Sequence, residues 1–492
     1  MELGEFKKTI SLVMIKPQIE EFIETYTKAL KDNTAAVFVG AGLSKLSGFV
    51  DWKSLLRPIA RELKLDVDRE TDLIALTQFY INEHGGRHRI NQLILEEFAK
   101  KAQINENHLI LARLPISTYW TTNYDTLIED ALKGTDKTPD VKKETENLAV
   151  NLPKRDAVIY KMHGDVSQPH NAVITKDDYE KFDRTRHLFS TALEGDLVQK
   201  TFLFIGFSFS DPNIGYILGR IRNLLGENQR EHYCLMQRIQ KKNFKKNRDY
   251  LYARTKQELQ IRDLKRYCIS AVLLDDYADI TKILRRIENK YKLKHVFISG
   301  SAANYGNYKE KAAQLFLHNL SKNLCRNNFS VISGFGLGVG SAVINGALEY
   351  VFSTKYQHIG EYLTLRPFPQ FVTGMQKLPE LWQQYREEMI GKAGIAIFVF
   401  GNKLNEKGNV IDADGLWKEF NIAINKGVKV IPIGITGFVT QKIWKQIWKE
   451  RKKYLGTNKK IHNLFKQLNS PKIKLAQTFN IVIQIINKYL EA

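Results

Sequence analysis

Cysteine is nearly absent from this chain: 492 residues contain three, Cys234, Cys268 and Cys325. They are too few and too scattered for a disulfide framework or a paired-cysteine zinc site, so no structural metal is expected. Also missing is any apolar run long enough to span a bilayer. The start of the chain, with Glu2, Glu5, Lys7 and Lys8, lacks the apolar core of a secretion signal, and a cytoplasmic protein with no membrane association is expected. Acidic residues are scarce in places, and from Gln441 to Leu475 the only one is Glu450. Over the whole chain 53 acids face 74 lysines and arginines, a formal charge of +21. Such an excess invites a nucleic-acid reading, because cations neutralise phosphates whatever the base sequence. No zinc finger, aromatic-glycine RNA signature or homeodomain pattern accompanies it, so nucleic acid is not the expected partner. Solvated helix faces, or attraction of anionic nucleotides towards their pockets, account for the charge.

What is present begins with two glycine-rich loops, Gly40-Ala41-Gly42-Leu43-Ser44 and Gly334-Phe335-Gly336-Leu337-Gly338-Val339-Gly340, one in each half. Each follows an apolar, β-branched or aromatic run, Ala35–Val39 or Phe329–Ser333, and leads into sequence that can be helical. In that context glycine lets the backbone turn tightly and approach a phosphate, which N–H groups at the helix start can hold. For either loop taken alone, a tight turn without a ligand is the alternative.

Strand-like runs alternate with helical ones along the chain. In the first half strands are predicted at Ala35–Val39, Ser117–Asn123, Ala157–Met162, Thr201–Gly206, His232–Gln237 and Ile269–Leu274, with helices such as Trp52–Leu63 and Arg89–Lys101 between them. In the second they are predicted at His295–Ser299, Ser330–Ser333, Gly360–Leu365, Gly394–Phe400 and Val428–Ile433, with helices at Tyr308–Cys325, Gly340–Tyr350, Leu378–Lys392 and Leu416–Lys426. A helical segment over residues 1–33 precedes the first series, and the amphipathic Phe479–Leu490 closes the second. The charged helix Tyr277–Lys290 separates them and lacks the glycine, serine and proline of a flexible linker. The expected fold is α/β: two Rossmann-like domains with parallel sheets, over residues 1–287 and 294–492, with ligand crevices beyond the carboxyl ends of the strands.

Polar motifs sit at those ends. Ser44 is followed by Ser47-Gly48-Phe49-Val50-Asp51-Trp52; Thr122-Asn123-Tyr124-Asp125 closes one predicted strand, His163-Gly164-Asp165 another, and Gly206-Phe207-Ser208-Phe209-Ser210-Asp211 a third. The asparagine amide can hydrogen-bond ribose hydroxyls or a water with both ends, and histidine can take a proton near neutral pH. Each group also has a plainer role open to it: Asn123 as a turn former, His163 as a structural hydrogen-bonding group, Asp125 as the cap of a helix beginning at Thr126.

Together and in this order the motifs resemble the sirtuin family, whose members bind NAD in a Rossmann-like domain; the resemblance covers most of residues 30–275. It implies that Asn123 and His163 are a catalytic pair. It also implies that Gly40, Ala41, Gly42 and Ser44 meet the pyrophosphate of NAD+, that Asp51 lines the nicotinamide side with Asp125 in support, and that Ser208 lies near the adenosine. One departure matters. Deacylating sirtuins carry a four-cysteine zinc module after the His-Gly motif, whereas Val166–Leu193 contains no cysteine. Water then becomes the expected acceptor, and the expected reaction is NAD+ hydrolysis to nicotinamide and ADP-ribose. A protein deacylase using NAD, and a module that binds nucleotides or nucleic acid without turnover, are the alternatives.

In the second half, Ser299-Gly300 ends a predicted strand, Gly336 and Gly338 lie in the second glycine loop, Arg386 falls on a helix, Lys403 follows the strand ending at Phe400, and Glu419 lies on the next helix. Arginine offers phosphate a planar fork and lysine a point charge. A solvent-facing ion pair of Arg386 with a neighbouring glutamate is the other reading. This order resembles the SLOG superfamily over about residues 294–435. The enzymes of that superfamily have Pro-Gly-Gly-x-Gly-Thr where this chain has Gly401-Asn402-Lys403-Leu404-Asn405. The resemblance therefore implies ligand binding without turnover: Ser299, Gly300, Gly336 and Gly338 as a backbone floor, Arg386 and Lys403 on phosphates, and Glu419 on ribose or base. A sirtuin-like domain followed by a SLOG domain resembles, over almost all residues, the effector family of the bacterial Thoeris anti-phage system. What this implies is an NAD+ glycohydrolase activated by a cyclic ADP-ribose isomer at its SLOG domain, depletion of cellular NAD+, a TIR-domain protein that makes the signal, and homo-oligomers, typically tetramers, assembled through the sirtuin-like domains.

Overall fold

The structure, a computed structural model, describes residues 18–209, 211–355, 358–369, 371 and 377–491. The chain divides into two compact units at Glu288–Asn289, near the end of helix Ala278–Lys292. In the first unit seven strands form one parallel sheet: β1 (Ala35–Val39), β2 (Thr118–Thr121), β3 (Pro139–Lys142), β4 (Ala157–Lys161), β5 (Thr201–Ile205), β6 (His232–Gln237) and β7 (Ile269–Leu274). Their order is β3-β4-β2-β1-β5-β6-β7. Every residue of β1 and β5 is buried, as both faces of a central parallel strand must be when helices cover them. Crossovers leave β1 towards β2 on one side and β5 towards β6 on the other, so the topological switch point lies between β1 and β5. Register brings Val39 level with Thr121 on one side and Ile205 on the other, so the loops that follow open side by side.

The second unit repeats the principle with fewer strands. β8 (His295–Ser301), β9 (Ser330–Ser333), β10 (Leu363–Leu365), β11 (Ile395–Phe400) and β14 (Lys429–Pro432) pair in parallel in the order β10-β9-β8-β11-β14. The switch point lies between β8 and β11. Helices Glu310–Arg326 and Gly340–Ser353 pack closely because Gly346 has no Cβ, which would overlap the backbone of His318. β12 (Asn402–Leu404) and β13 (Val410–Asp412) form a separate antiparallel hairpin just past β11. Among the described residues, no helix is long and apolar enough to cross a membrane.

Several sequence expectations need correction. The predicted strand Ser117–Asn123 pairs only over Thr118–Thr121, because the Asn123 amide turns to the Thr121 hydroxyl at 2.9 Å and leaves the ladder. Trp52–Leu63 is two helices, Trp52–Leu55 and Arg57–Glu62, broken where Pro58 removes a backbone donor. Gly360–Leu365 begins as the short helix Ile359–Tyr362 and is strand only over Leu363–Leu365. β3 was not expected at all. It is a four-residue edge strand that starts on a proline and buries Asp140 and Lys142, which pair at 2.9 Å, so it shows no apolar alternation. Of the helical segment expected over residues 1–33, residues 18–31 are helix, with Phe22, Ile23, Tyr26 and Leu30 buried; residues 1–17 lie outside the described residues.

At the first switch point the end of β5 meets the end of β1 backbone to backbone. The Gly40 amide donates to Ile205 O and the Gly42 amide to Gly206 O, both at 2.9 Å. Gly206 has φ +67°, and a Cβ on it would overlap the Leu43 amide. Gly206→Ala is therefore expected to cost about 2 kcal/mol or more, from left-handed strain and overlap together. Urea denaturation would read this as a lower midpoint with an unchanged slope.

Candidate active site

A cavity of about 340 Å³ opens over the carboxyl ends of β1, β2, β4 and β5. Ala41, Gly42 and Ser44 reach it from β1, Asn123 and Asp125 from β2, His163 from β4, and Ser208 and Asp211 from β5; Asp51, Trp52, Phe98 and Tyr179 close its other sides. The fold thus gathers Ala41, Gly42, Ser44, Asp51, Asn123, Asp125, His163 and Ser208 around one space. Gly40 lies beneath it, against Gly206.

The glycine loop offers less to a phosphate than its sequence suggests. Its helix, Ala41–Lys45, is little more than one turn, and the amides of Gly42 and Leu43 are engaged by Gly206 O and Gly40 O. Ser44 is buried; its hydroxyl donates to Asp125 Oδ2 at 2.8 Å and accepts from Asn123 Nδ2 at 3.0 Å. In this arrangement its proton serves Asp125, and its effect is to fix the Asn123 amide. The helix expected to begin at Thr126 begins at Leu127 with Thr126 as its N-cap, so Asp125 is not the cap; it stands one residue before, where Oδ1 accepts from the Leu127 amide at 3.1 Å while Oδ2 keeps the contact to Ser44. Asp51 caps helix Trp52–Leu55 through Ser54. Its burial raises its pKa, but hydrogen bonds from Ser54 and Lys45 outweigh that and hold it below the usual carboxylate range.

Beneath the Asn123 loop lies a residue the sequence reading missed. Lys161, last in β4, is fully buried, and its ammonium donates to Tyr124 O at 3.1 Å, to Asp125 O and to Asp165 Oδ2, with Glu129 Oε1 at 3.2 Å. Burial works against the charge on Lys161, but Glu129 and Asp165 more than offset it and raise its pKa; burial pushes Glu129 up, while Lys161 and Ser167 hold Asp165 well down against its own burial. Lys161 thus pins the backbone that carries Asn123 and Asp125. A lysine inside an apolar strand run, Ala157–Met162, was the available signal.

His163 is buried, with the edges of Tyr179 and Phe182 against its ring at 5.6 and 5.9 Å. Its Nε2 stands 3.3 Å from Asp211 Oδ2 but outside hydrogen-bond alignment. Burial lowers its pKa from the ordinary 6.5, with Asp211 opposing, so the ring is neutral at neutral pH.

The second unit has a cavity of about 280 Å³ at its own switch point. Ser299, Gly300, Gly336, Arg386, Lys403 and Glu419 line it, joined by Ser301, Phe368, Trp382 and Asp414. Gly338 is not in the lining: a Cβ on it would overlap Ala302 O, and its carbonyl accepts from Tyr305 at 2.8 Å. Glu419 is buried, taking Ser299 Oγ at 2.6 Å and Arg386 Nε at 3.4 Å. Burial pushes its pKa up, with Ser299 and Arg386 opposing. Arg386 is mostly buried over the Phe368 ring at 4.9 Å, which makes its ion pair an interior one. Lys403, half-exposed, pairs with Asp414 at the start of helix Asp414–Asn425. Among the described residues, no group of three or more His, Cys, Asp or Glu is placed to hold a metal ion.

Two family models match the chain in order: the SIR2-like domain over residues 117–261 and the Sir2- and TIR-associating SLOG family over residues 279–489. The class is thus a SIR2-like domain followed by a SLOG domain. The NAD(+) hydrolase ThsA of Bacillus cereus (strain MSX-D12) is 47% identical over 474 residues, 96% of this chain and 98% of the relative. That of Cytobacillus dafuensis is 49% identical over 443 residues, 88% of this chain and 89% of the relative. That of Acinetobacter baumannii (strain 532279) is 42% identical over 482 residues, 96% of this chain and all of the relative. The chain belongs to the ThsA family of NAD(+) hydrolases.

Replacing Lys161 by methionine leaves Glu129 buried without a cation among the described residues, and leaves buried Asp165 with Lys143 alone, at 3.1 Å. The expected loss is about 3–5 kcal/mol, visible as a lower melting temperature. An unchanged melt would mean that the lysine carries no such load.

Proposed function

We propose that the chain is an NAD+ glycohydrolase held in check until a cyclic ADP-ribose isomer binds its SLOG domain. The observation that carries the catalytic half is the pairing of a neutral imidazole, His163, with an anchored amide, Asn123, on one cavity beside the first glycine loop. NAD+ lies with its pyrophosphate over Ala41, Gly42 and Ser44, its nicotinamide towards Asp51 and its adenosine towards Ser208, with Asp125 supporting Ser44. The C1′–N bond breaks with its electron pair leaving on nicotinamide, which departs neutral, and positive charge develops on the ribose. Asn123 orients the ribose or the water. The water oxygen bonds to C1′, and its proton passes to His163 and then to solvent, so NAD+ and water become nicotinamide, ADP-ribose and a proton.

In the second cavity the isomer's phosphates meet Arg386 and Lys403, its ribose or base meets Glu419, and Ser299, Gly300 and Gly336 supply the floor, with Gly338 outside the lining. Phe368 and Trp382 add aromatic surface of the kind nucleotide bases stack on. For gating, the ligand must bind the active arrangement more tightly than the inactive one. The signal comes from a TIR-domain protein, NAD+ loss stops phage propagation, and the protein works as a homo-oligomer, a tetramer, assembled through its SIR2-like domains.

Asn123→Ala and His163→Ala should each lower nicotinamide release about a hundredfold or more in a chain that still melts cooperatively. Arg386→Ala and Lys403→Ala should keep the maximal rate but need about tenfold more cyclic ADP-ribose isomer to reach it. A set of variants that did not separate in this way would defeat the division of labour. The base must be unprotonated, and burial disfavours its cation. The wild-type rate should therefore hold down to pH 6.5, the ordinary histidine value, and fall only below it, in a pH profile of kcat/KM.

A further inference from the structure

We propose that Asp211 is the positioning residue of His163, fixing the ring proton on Nε2 and leaving the Nδ1 lone pair for the attacking water. The proposal rests on the reading of His163 as the base. The two oxygens of Asp211 divide their work. Oδ1 caps helix Pro212–Leu225, accepting from the amides of Asn213 at 2.9 Å and Ile214 at 3.1 Å. Oδ2 turns to the cavity, where it accepts from Tyr179 Oη at 3.2 Å and faces His163 Nε2 at 3.3 Å. A cap alone requires only one oxygen.

The surroundings of His163 leave this task to no other group. Tyr179 and Phe182, on helix Lys176–Thr185, present ring edges, and buried Nε2 has no hydrogen-bond partner among the described residues. The charged groups that face it are Asp211, Asp178 and Arg186. Asp178 is held by Arg87 at 2.7 Å, and Arg186 donates to Lys143 O and Asn171 O, both at 3.0 Å. Among the described residues no lysine or arginine pairs with Asp211, so its charge is the one at hand for the imidazole. A neutral imidazole carries one N–H and one lone pair, and an acceptor facing Nε2 selects the tautomer with the proton there. When water attacks C1′, its proton goes to Nδ1, the Nε2 proton stays, and Oδ2 faces the resulting imidazolium. Catalytic hydrogen bonds are commonly long until substrate tightens them, which suits the 3.3 Å approach.

Asp211→Asn tests this, because asparagine caps a helix as well as aspartate but carries no charge. The full chain is assayed for nicotinamide release from NAD+ across pH, with a panel of cyclic ADP-ribose isomers as activators, beside wild type and His163→Ala. The expected result is a fall in kcat of about tenfold or more with little change in KM, and an acid limb displaced to lower pH because the cation has lost its partner. Tyr179→Phe removes the competing donor from Oδ2, and it should displace the acid limb the opposite way, to higher pH. Folding of each variant is checked by melting, and if Asp211→Asn fails to fold, the direction of the Tyr179→Phe limb decides. Acid limbs that stay at the wild-type position in folded variants, with His163→Ala inactive, would overturn the role of Asp211. A His163→Ala variant that still turned over would instead overturn the reading of the base.

Discussion

The first unit depends on a contact that admits no side chain. Gly40 and Gly42 on one loop meet Gly206 on the other, backbone to backbone, at the switch point between β1 and β5. A Cβ on any of the three would stand within 2.8 Å of the opposite main chain or closer. That closeness sets the floor of the cavity and the path of two chains leaving it. One path leads to Ser44, and through it to Asn123 and Asp125; the other leads to Ser208 and Asp211, the neighbour of His163. Charge then locks what sterics positioned, since Lys161 holds the carbonyls of Tyr124 and Asp125 from below.

The second unit meets the same topological opportunity with different chemistry. Gly336 and Gly338 press on the backbone of Gly300 and Ala302, as the first loop presses on Gly206. What surrounds that floor is a buried carboxylate already satisfied by Ser299 and Arg386, a half-exposed lysine and aromatic surface. These groups suit recognition of an anionic nucleotide, whereas the first cavity sets a neutral imidazole beside an anchored amide. One architecture, used twice, carries different side chains at its strand ends, and the proposed separation of bond breaking from ligand reading rests on that difference.

The sequence made the central strands and both switch points legible, because buried parallel strands read as continuous apolar runs and glycine loops mark where backbones converge. Asn123, His163, Arg386, Lys403 and Glu419 were visible as polar groups at strand ends or on the next helix. Legibility failed where stabilisation is polar or local. β3 buries a lysine–aspartate pair, and β12 and β13 are three residues each, with Asn402 alone of the six buried. Lys161 reads as an outward-facing strand residue until the fold surrounds it with carboxylates. Asp211 was in view as the end of a motif, but only the crossover from β4 to β5 brings it to His163. The glycine loop shows the opposite error: its sequence promises more free amides than the hydrogen bonds leave.

Ligand-gated hydrolysis is tested by nicotinamide release from NAD+ by the purified full chain, measured with and without cyclic ADP-ribose isomers. The expected result is a low rate alone and a rise that saturates with one isomer, with one nicotinamide and one ADP-ribose formed per NAD+ consumed. A rate indifferent to every isomer, or NAD+ left intact throughout, would contradict it.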